Sequence, residues 1–323
     1  MRRTAALIGM LMLLLVLGGC AGKQDAARES TSIVVGFSQL GAESSWRIAN
    51  TASMEQAAKD YGYGLMMENA NQKQEKQIDA IRSFIAYQVD VIVFSPIVET
   101  GWDNVLKEAR QAGIPVILMD RMIETEDDSL YTAYVGADFY AEGRRAGEYL
   151  IRKADATGAE HLRIAEISGT LESTPMRDRQ RGFMDVIAED GRFTVIDSVC
   201  GDFLRSKGEE CMRQLLDKYG TDGIDVIYSH NDSMTLGVLD VLESTAGYEP
   251  SDMILITVDG EKEAVDALKA GRINCVVQCT PHLGSSVMNL VKELKAGQEV
   301  PKIYHPEEGA FTDMDDLTAA EGF

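Results

Sequence analysis

The sequence is short of basic residues, cysteine, histidine and tryptophan, and each shortage excludes something. Its 323 residues carry 31 Lys and Arg against 52 Asp and Glu, a formal net charge of −21. A surface that acidic repels phosphate backbones and anionic headgroups, which argues against a nucleic-acid partner. The four histidines, His161, His230, His282 and His305, are scattered without HxxxH spacing, and the five cysteines form no CxxC or Cys/His pattern. Neither set supports a zinc centre. The acidic patches at 126–128 and 313–316 lack the spacing and glycine of an EF-hand loop. There is no GxSxG elbow, no phosphate-binding GxxxxGKS/T loop and no GxGxxG opening a helix after the first strand. No Pro/Ser-rich linker divides the chain. What is present is 45% apolar and 26% charged residues, the composition of a globular protein with room for two domains.

One long apolar run exists. Residues 5–19 follow Arg2 and Arg3 and end in LGGC at 17–20. The run is too short and too close to the start for a permanent span. Small residues before a cysteine resemble a bacterial lipobox. That implies a signal peptide at 1–19, a lipidated Cys20 and a flexible tether over 20–31. An uncleaved anchor is the alternative; both place the chain outside the cytoplasmic membrane and tethered to it. Of the other cysteines, Cys275 and Cys279 on one strand lie about 13 Å apart, too far to bridge. Cys200 and Cys211 can pair but need not, and free thiols are the expectation.

From Ser32 onward, β-branched runs alternate with amphipathic stretches. Residues 32–37, 64–68, 91–95, 115–120 and 131–135 read as strands, with helices at 45–61, 74–88 and 102–112 between them. Gly62 and Gly113 mark helix ends, and Pro115 follows where a helix cannot continue. After a helix at 140–153 the alternation restarts. Strands are expected at 162–168, 193–199, 225–230, 253–259 and 274–278, with helices at 175–190, 204–219, 232–246, 261–270 and 281–296. Continuously apolar strands predict parallel sheets covered on both faces. Two such α/β units without a loose linker predict a cleft, with ligands at the carboxyl ends of the strands.

Those strand ends carry a consistent chemistry. The first unit offers Ser38, Gln39, Ser95 and Asp120-Arg121. The second offers Gly169-Thr170, Asp202-Phe203, His230-Asn231-Asp232, Asp259-Gly260 and Gln278. Carboxylates, amides and guanidinium groups suit a small ligand covered in hydroxyls, which both donate and accept. The aromatic faces of Trp46 and Phe203 suit the C–H face of a sugar ring. Each residue also has a plain structural role open to it: Asn231 as a helix N-cap, Asp259-Gly260 as a turn, Arg177, Arg179 and Arg181 as a solvated helix face. Asp120 and Asp259 resemble a glycosidase pair only in number. Arg121 beside Asp120 favours the ionised form, an acceptor and not a general acid.

The segments GFSQLGAESSWR (36–47), QKQEKQIDAIRSF (72–84), TGWDNVLKEA (100–109), IPVILMDR (114–121), GDFLRSKGEE (201–210), SHNDSM (229–234) and VDG (258–260) together resemble the ribose/galactose-type periplasmic sugar-binding proteins of ABC importers. ESSWR, TGWDNVLKEA and GDFLRSKG are most similar to the galactofuranose-binding branch. The resemblance runs from about Ile33 to roughly residue 310. It implies an α/β fold of two Rossmann-like lobes with parallel sheets, joined by a hinge of three crossings near 136–138, 278–280 and 306–308. The N-terminal lobe would comprise 32–137 and 279–306, and the C-terminal lobe 138–278 and 307–323. Carried onto this sequence, the sugar-contacting positions are Trp46, Arg47, Asp120, Arg121, Arg179, Phe203, Asn231, Asp259 and Gln278, beside Ser38, Gln39 and Ser95 from the strand-end reading. Two departures from the branch stand out: Gln278 replaces a Glu, and LESTPMRDR (171–179) brings Pro175 and an extra Arg177.

The function implied is capture of a neutral monosaccharide, galactofuranose or a related hexose or pentose, by a monomeric lipid-anchored receptor. Closure of the lobes would deliver the sugar to an ABC permease and its ATPase, with no cofactor and no catalysis. A sensor docking on a histidine kinase or chemoreceptor is the alternative, and a sugar-processing enzyme a remote one.

Overall fold

The computed structural model describes residues 32–323; the expected signal peptide, Cys20 and the tether lie outside the described residues. The first half runs β1 (Val34–Gln39), α1 (Ser45–Tyr61), β2 (Gly64–Asn69), α2 (Gln74–Ala86), β3 (Val91–Phe94), α3 (Asp103–Gln111), β4 (Val116–Met119) and β5 (Ala133–Val135). The second runs α4 (Phe139–Thr157), β6 (Leu162–Ser168), α5 (Thr174–Ile187), β7 (Phe193–Cys200), α6 (Arg205–Tyr219), β8 (Val226–Ser229), α7 (Asp232–Leu242), β9 (Ile254–Asp259), α8 (Lys262–Lys269) and β10 (Cys275–Gln278). Then come α9 (Gly284–Lys295), β11 (Ile303–Tyr304) and β12 (Ala310–Thr312).

The two sheets share one plan. The first has strand order β11-β5-β4-β3-β1-β2 and the second β12-β10-β9-β8-β6-β7. All pairings are parallel except β10 with β12, which is antiparallel. Two-residue β11 and three-residue β12 were not expected from the sequence; runs that short carry no periodicity to read. Strands β3, β4 and β8 are buried at every position, as strands covered on both faces must be. The chain passes between the sheets after β5, after β10 and between β11 and β12.

Local signals explain the ends. Ser44 caps α1 by accepting from the Arg47 amide, and Gly62 closes the helix at φ 69°, the left-handed cap that glycine adopts without strain. Asn231 caps α7, its side chain accepting from the Met234 amide at 3.0 Å. Cys200, Cys211, Cys275 and Cys279 are all free thiols.

Candidate functional site

Loops at the carboxyl ends of both sheets enclose one polar cavity with about 310 Å³ of atom-free space, counted to its opening. The first lobe contributes Trp46, Arg47, Asp120 and Arg121, and the second Arg179, Phe203, Asn231 and Asp259. Cross-cleft contacts hold the lobes together around it. Arg177 meets Glu99 at 2.5 Å, the Glu99 amide donates to the Glu172 carbonyl at 3.1 Å, and the Met122 amide donates to Thr174 Oγ1 at 3.1 Å.

Each lobe presents an aspartate at the carboxyl end of its fourth strand, held in unusual backbone. Asp120 has φ 66°, and the Arg121 amide donates to the Met119 carbonyl at 2.8 Å. That makes a γ-turn centred on Asp120, a strained conformation for a residue with a Cβ. Asp259 has φ 135° and Gly260 φ 105°. Buried Asp232 holds their loop, its Oδ2 accepting from the amides of Gly260 at 2.7 Å and Glu261 at 2.6 Å. Burial and the neighbouring Glu261 push the Asp232 pKa up to about 8.

Each aspartate faces an arginine from the helix that follows the first strand of its lobe. Arg47 on α1 meets Asp120 Oδ2 at 2.5 Å and Glu43 at 3.1 Å. Ser95 Oγ also donates to Asp120 Oδ2, at 3.1 Å. Burial opposes the charge of Arg47, yet Asp120 and Glu43 outweigh it and hold its pKa above the ordinary value. Arg179 on α5 lies 3.8 Å from Asp259, and is fixed instead by Glu142 at 2.7 Å and the His230 carbonyl at 2.6 Å. Burial again opposes the charge, and Glu142 leads the carboxylates that raise the Arg179 pKa. Asp259 Oδ2 is buried with no hydrogen-bond partner. Burial pushes the Asp259 pKa well above the carboxylate range, against the pull of Arg179.

A third guanidinium, Arg121, is less well paired. It donates to the Ile97 carbonyl at 3.1 Å and lies 3.8 Å from Glu43, while its buried Nε has no hydrogen-bond partner and lies 3.9 Å from Asp120 Oδ2. Burial and the adjacent Arg47 lower its pKa to about 10. The aromatics frame the opening. Trp46 donates its indole N–H to the Cys279 carbonyl at 2.8 Å, and the Arg47 guanidinium lies 4.7 Å from its ring. Phe203 sits in a turn with Asp202 at φ 52° and Phe203 at φ 62°, closed by the Leu204 amide on the Gly201 carbonyl at 2.9 Å. Gly169 makes room for it, since a Cβ there would fall within the Phe203 ring.

Not every expected residue reaches the cavity. Gln39 is buried, but its amide donates to Asn50 Oδ1 and Thr51 Oγ1, tying β1 to α1. Ser38 is buried away from the cavity lining. Ser95 stands behind Asp120 and braces it. Gln278 faces the crossing between β11 and β12, where its Oε1 accepts from the Gly309 amide at 3.1 Å. One residue before the crossing at Cys279, its side chain points to the hinge and not to the cavity. In turn, Glu43, Ser44, Pro175 and Cys279 line the cavity without having been singled out for contact. Glu43 had a signal: it lies four residues before Arg47, the spacing of a helical ion pair.

Two α/β lobes closing on a shared polar cavity define a clamp-type solute receptor. The chain belongs to the periplasmic binding protein domain family, whose profile matches residues 35–299. It is 35% identical over 292 residues to the galactofuranose-binding protein of Escherichia coli strain K12, covering 90% of each chain. The structure is similar to that of a Mycobacterium smegmatis protein solved in complex with β-D-fucofuranose, at 42% identity and TM-score 0.85, covering 90% of this chain and 94% of that one. It is also similar to the arabinose receptor of Shewanella sp. ANA-3 bound to L-arabinofuranose, at 38% identity and TM-score 0.82, covering 86% and 91%. These relatives are solute-binding proteins, and the chain is a binder and not an enzyme. No helix among the described residues is long and apolar enough to cross a membrane.

Proposed function

We propose that the chain is the receptor of a sugar importer and takes a furanose monosaccharide of the galactofuranose type in the interlobe cavity. The observation that carries this reading is the pairing of one aspartate and one arginine from each lobe across a single cavity framed by Trp46 and Phe203. A hydroxylated ring satisfies both kinds of group at once. Asp259 Oδ2, which has no hydrogen-bond partner, accepts from a ring hydroxyl, and Arg121 Nε donates to an oxygen lone pair. Asn231, already spent as a helix cap, offers what remains of its amide. Arg47 and Asp120 contact the ring from the first lobe, with Ser95 bracing them from behind. The curated and solved relatives named for galactofuranose, fucofuranose and arabinofuranose support a five-membered ring.

Contacts from both lobes make the closed form the one that binds more tightly, so the sugar shifts the population toward closure. The closed surface then docks on a permease served by an ATPase, and lipidated Cys20 keeps the monomer at the membrane. A second reading, a sensor, draws on the likeness to the fructose-binding domain of a hybrid two-component system, at 26% identity and TM-score 0.78. The importer reading has the stronger likeness.

A thermal-shift panel of pentoses, hexoses and amino acids tests the proposal. Stabilisation by galactose, fucose or arabinose solutions, each containing furanose forms, is expected. Stabilisation by an amino acid and by no sugar would overturn it. Release of the full-length chain from the membrane fraction by Cys20→Ala checks the anchor.

A further inference from the structure

A second cavity lies beside the first, at the mouth of the cleft. It has about 990 Å³ of atom-free space, counted out into open solvent. Both lobes build it: Ala42, Asn71 and Ile97 from one side, Thr170, Asp202 and Leu204 from the other. Glu43 lines both cavities. Its carboxylate forms the partition between them, with Arg121 3.8 Å away on the inner side and Gln72 3.0 Å away on the outer.

Two matched turns flank this outer space. After β2, Asn71 and Gln72 have φ 49° and 61°, and the Lys73 amide closes the turn on the Ala70 carbonyl at 3.1 Å. After β7, Asp202 and Phe203 form the counterpart described above. Both use left-handed backbone at residues with side chains, a conformation that persists only where the surroundings fix it. The first turn reaches the partition directly, since Gln72 donates to Glu43 Oε2 at 3.0 Å. The side-chain amide of Asn71 and the hydroxyl of Thr170 make no hydrogen bond within the protein among the described residues, and Asp202 accepts only a weak one from Cys200 at 3.4 Å. The outer walls therefore carry a donor-acceptor amide, a hydroxyl and a carboxylate with spare capacity, the same chemistry that suits hydroxyls in the inner cavity. Ile97 and Leu204 add apolar surface for a ring face.

We infer that the outer cavity is a second sugar subsite, so that the receptor takes a furanosyl disaccharide with its terminal ring inside and its second ring at the mouth. This rests on the sugar reading of the inner cavity. The glycosidic linkage passes the partition at Glu43, whose carboxylate turns from Gln72 to the linking unit. Inner specificity stays with Trp46, Arg47, Asp120, Arg179 and Asp259; the outer walls select for the second ring.

The test is calorimetric titration of the full chain with galactose solution and with a galactofuranosyl-galactofuranose disaccharide. The disaccharide is expected to bind at least as tightly as galactose. Thr170→Trp, which fills the outer space, should weaken the disaccharide tenfold or more and leave galactose within about threefold; Ala42→Trp on the opposite wall provides an independent block. Disaccharide binding that survives both substitutions would overturn the subsite, as would galactose binding with no disaccharide binding. If neither sugar binds, the sugar reading of the inner cavity falls, and the subsite falls with it.

Discussion

The two lobes repeat one design with different bonding. In each, the helix after the first strand supplies an arginine and the end of the fourth strand supplies an aspartate in strained backbone. In the first lobe the pair is closed: Arg47, Glu43, Ser95 and Asp120 satisfy one another before any ligand arrives. In the second it is open: Arg179 leans on Glu142, 3.8 Å from Asp259, and Asp259 Oδ2 has no partner. The same residue types thus serve two ends. A satisfied network fixes geometry and contributes to stability; an unsatisfied buried carboxylate destabilises the empty protein and is relieved by a hydroxyl donor. The difference assigns pre-organisation to the first lobe and the larger share of ligand-dependent stabilisation to the second.

Arg179→Ala should show the largest effect. It leaves Glu142, which has no exposed surface, as an uncompensated buried charge, a loss of about 3–5 kcal/mol. Thermal unfolding of the empty protein measures it, and a smaller loss than for Arg47→Ala would break the comparison. Next, Asp120→Asn and Asp259→Asn should separate the lobes. Asp120→Asn weakens an existing network and lowers empty-state stability by about 1–3 kcal/mol. Asp259→Asn leaves that stability unchanged or higher, while sugar affinity drops about 5- to 150-fold, the equivalent of 1–3 kcal/mol.

The pH dependence follows the second lobe and the hinge. Burial, then repulsion from Glu142, pushes Glu308 up to about 8, and burial with Glu261 pushes Asp232 to the same value. Groups of raised folded pKa hold more protons folded than unfolded. Their contribution is present below the ordinary carboxylate range and is lost as pH rises through the interval from about 4 to 8. Melting temperature should therefore fall across that interval, and Glu308→Gln should flatten the fall. A slope unchanged by Glu308→Gln would remove Glu308 from the account. The smallest effects belong to the edges. Arg177→Ala, breaking a half-exposed ion pair with Glu99, should reduce sugar affinity by about 0–1 kcal/mol. Gln278→Ala should loosen the hinge strand by about 1 kcal/mol and leave the cavity's ligand preference intact.

The alternation of strands and helices was readable because parallel strands buried on both faces are continuously apolar and their helices amphipathic. Strand ends could be read too, since Asp120-Arg121 and Asp259-Gly260 follow apolar runs abruptly. What escaped were contacts set by direction and distance. Gln278 and Asp259 are register partners on adjacent strands, yet only Asp259 turns inward, because its loop is gripped by Asp232. Glu142, the main partner of Arg179, sits 37 residues away on α4, where nothing in FYAEGRRAGEY distinguishes a buried acid from a solvated one. The Asp202-Phe203 turn lacks the Asn-Gly signature of left-handed turns, so its geometry was invisible; the clue was Gly169, leaving room for a ring 34 residues away.

The most direct measurement is a paired titration of wild type and Asp259→Asn with galactose, alongside the melting temperature of each empty protein. The account predicts that the substitution weakens sugar binding at least fivefold without lowering the empty protein's melting temperature. Unchanged sugar affinity, or a loss of empty-state stability as large as that of Asp120→Asn, would contradict it.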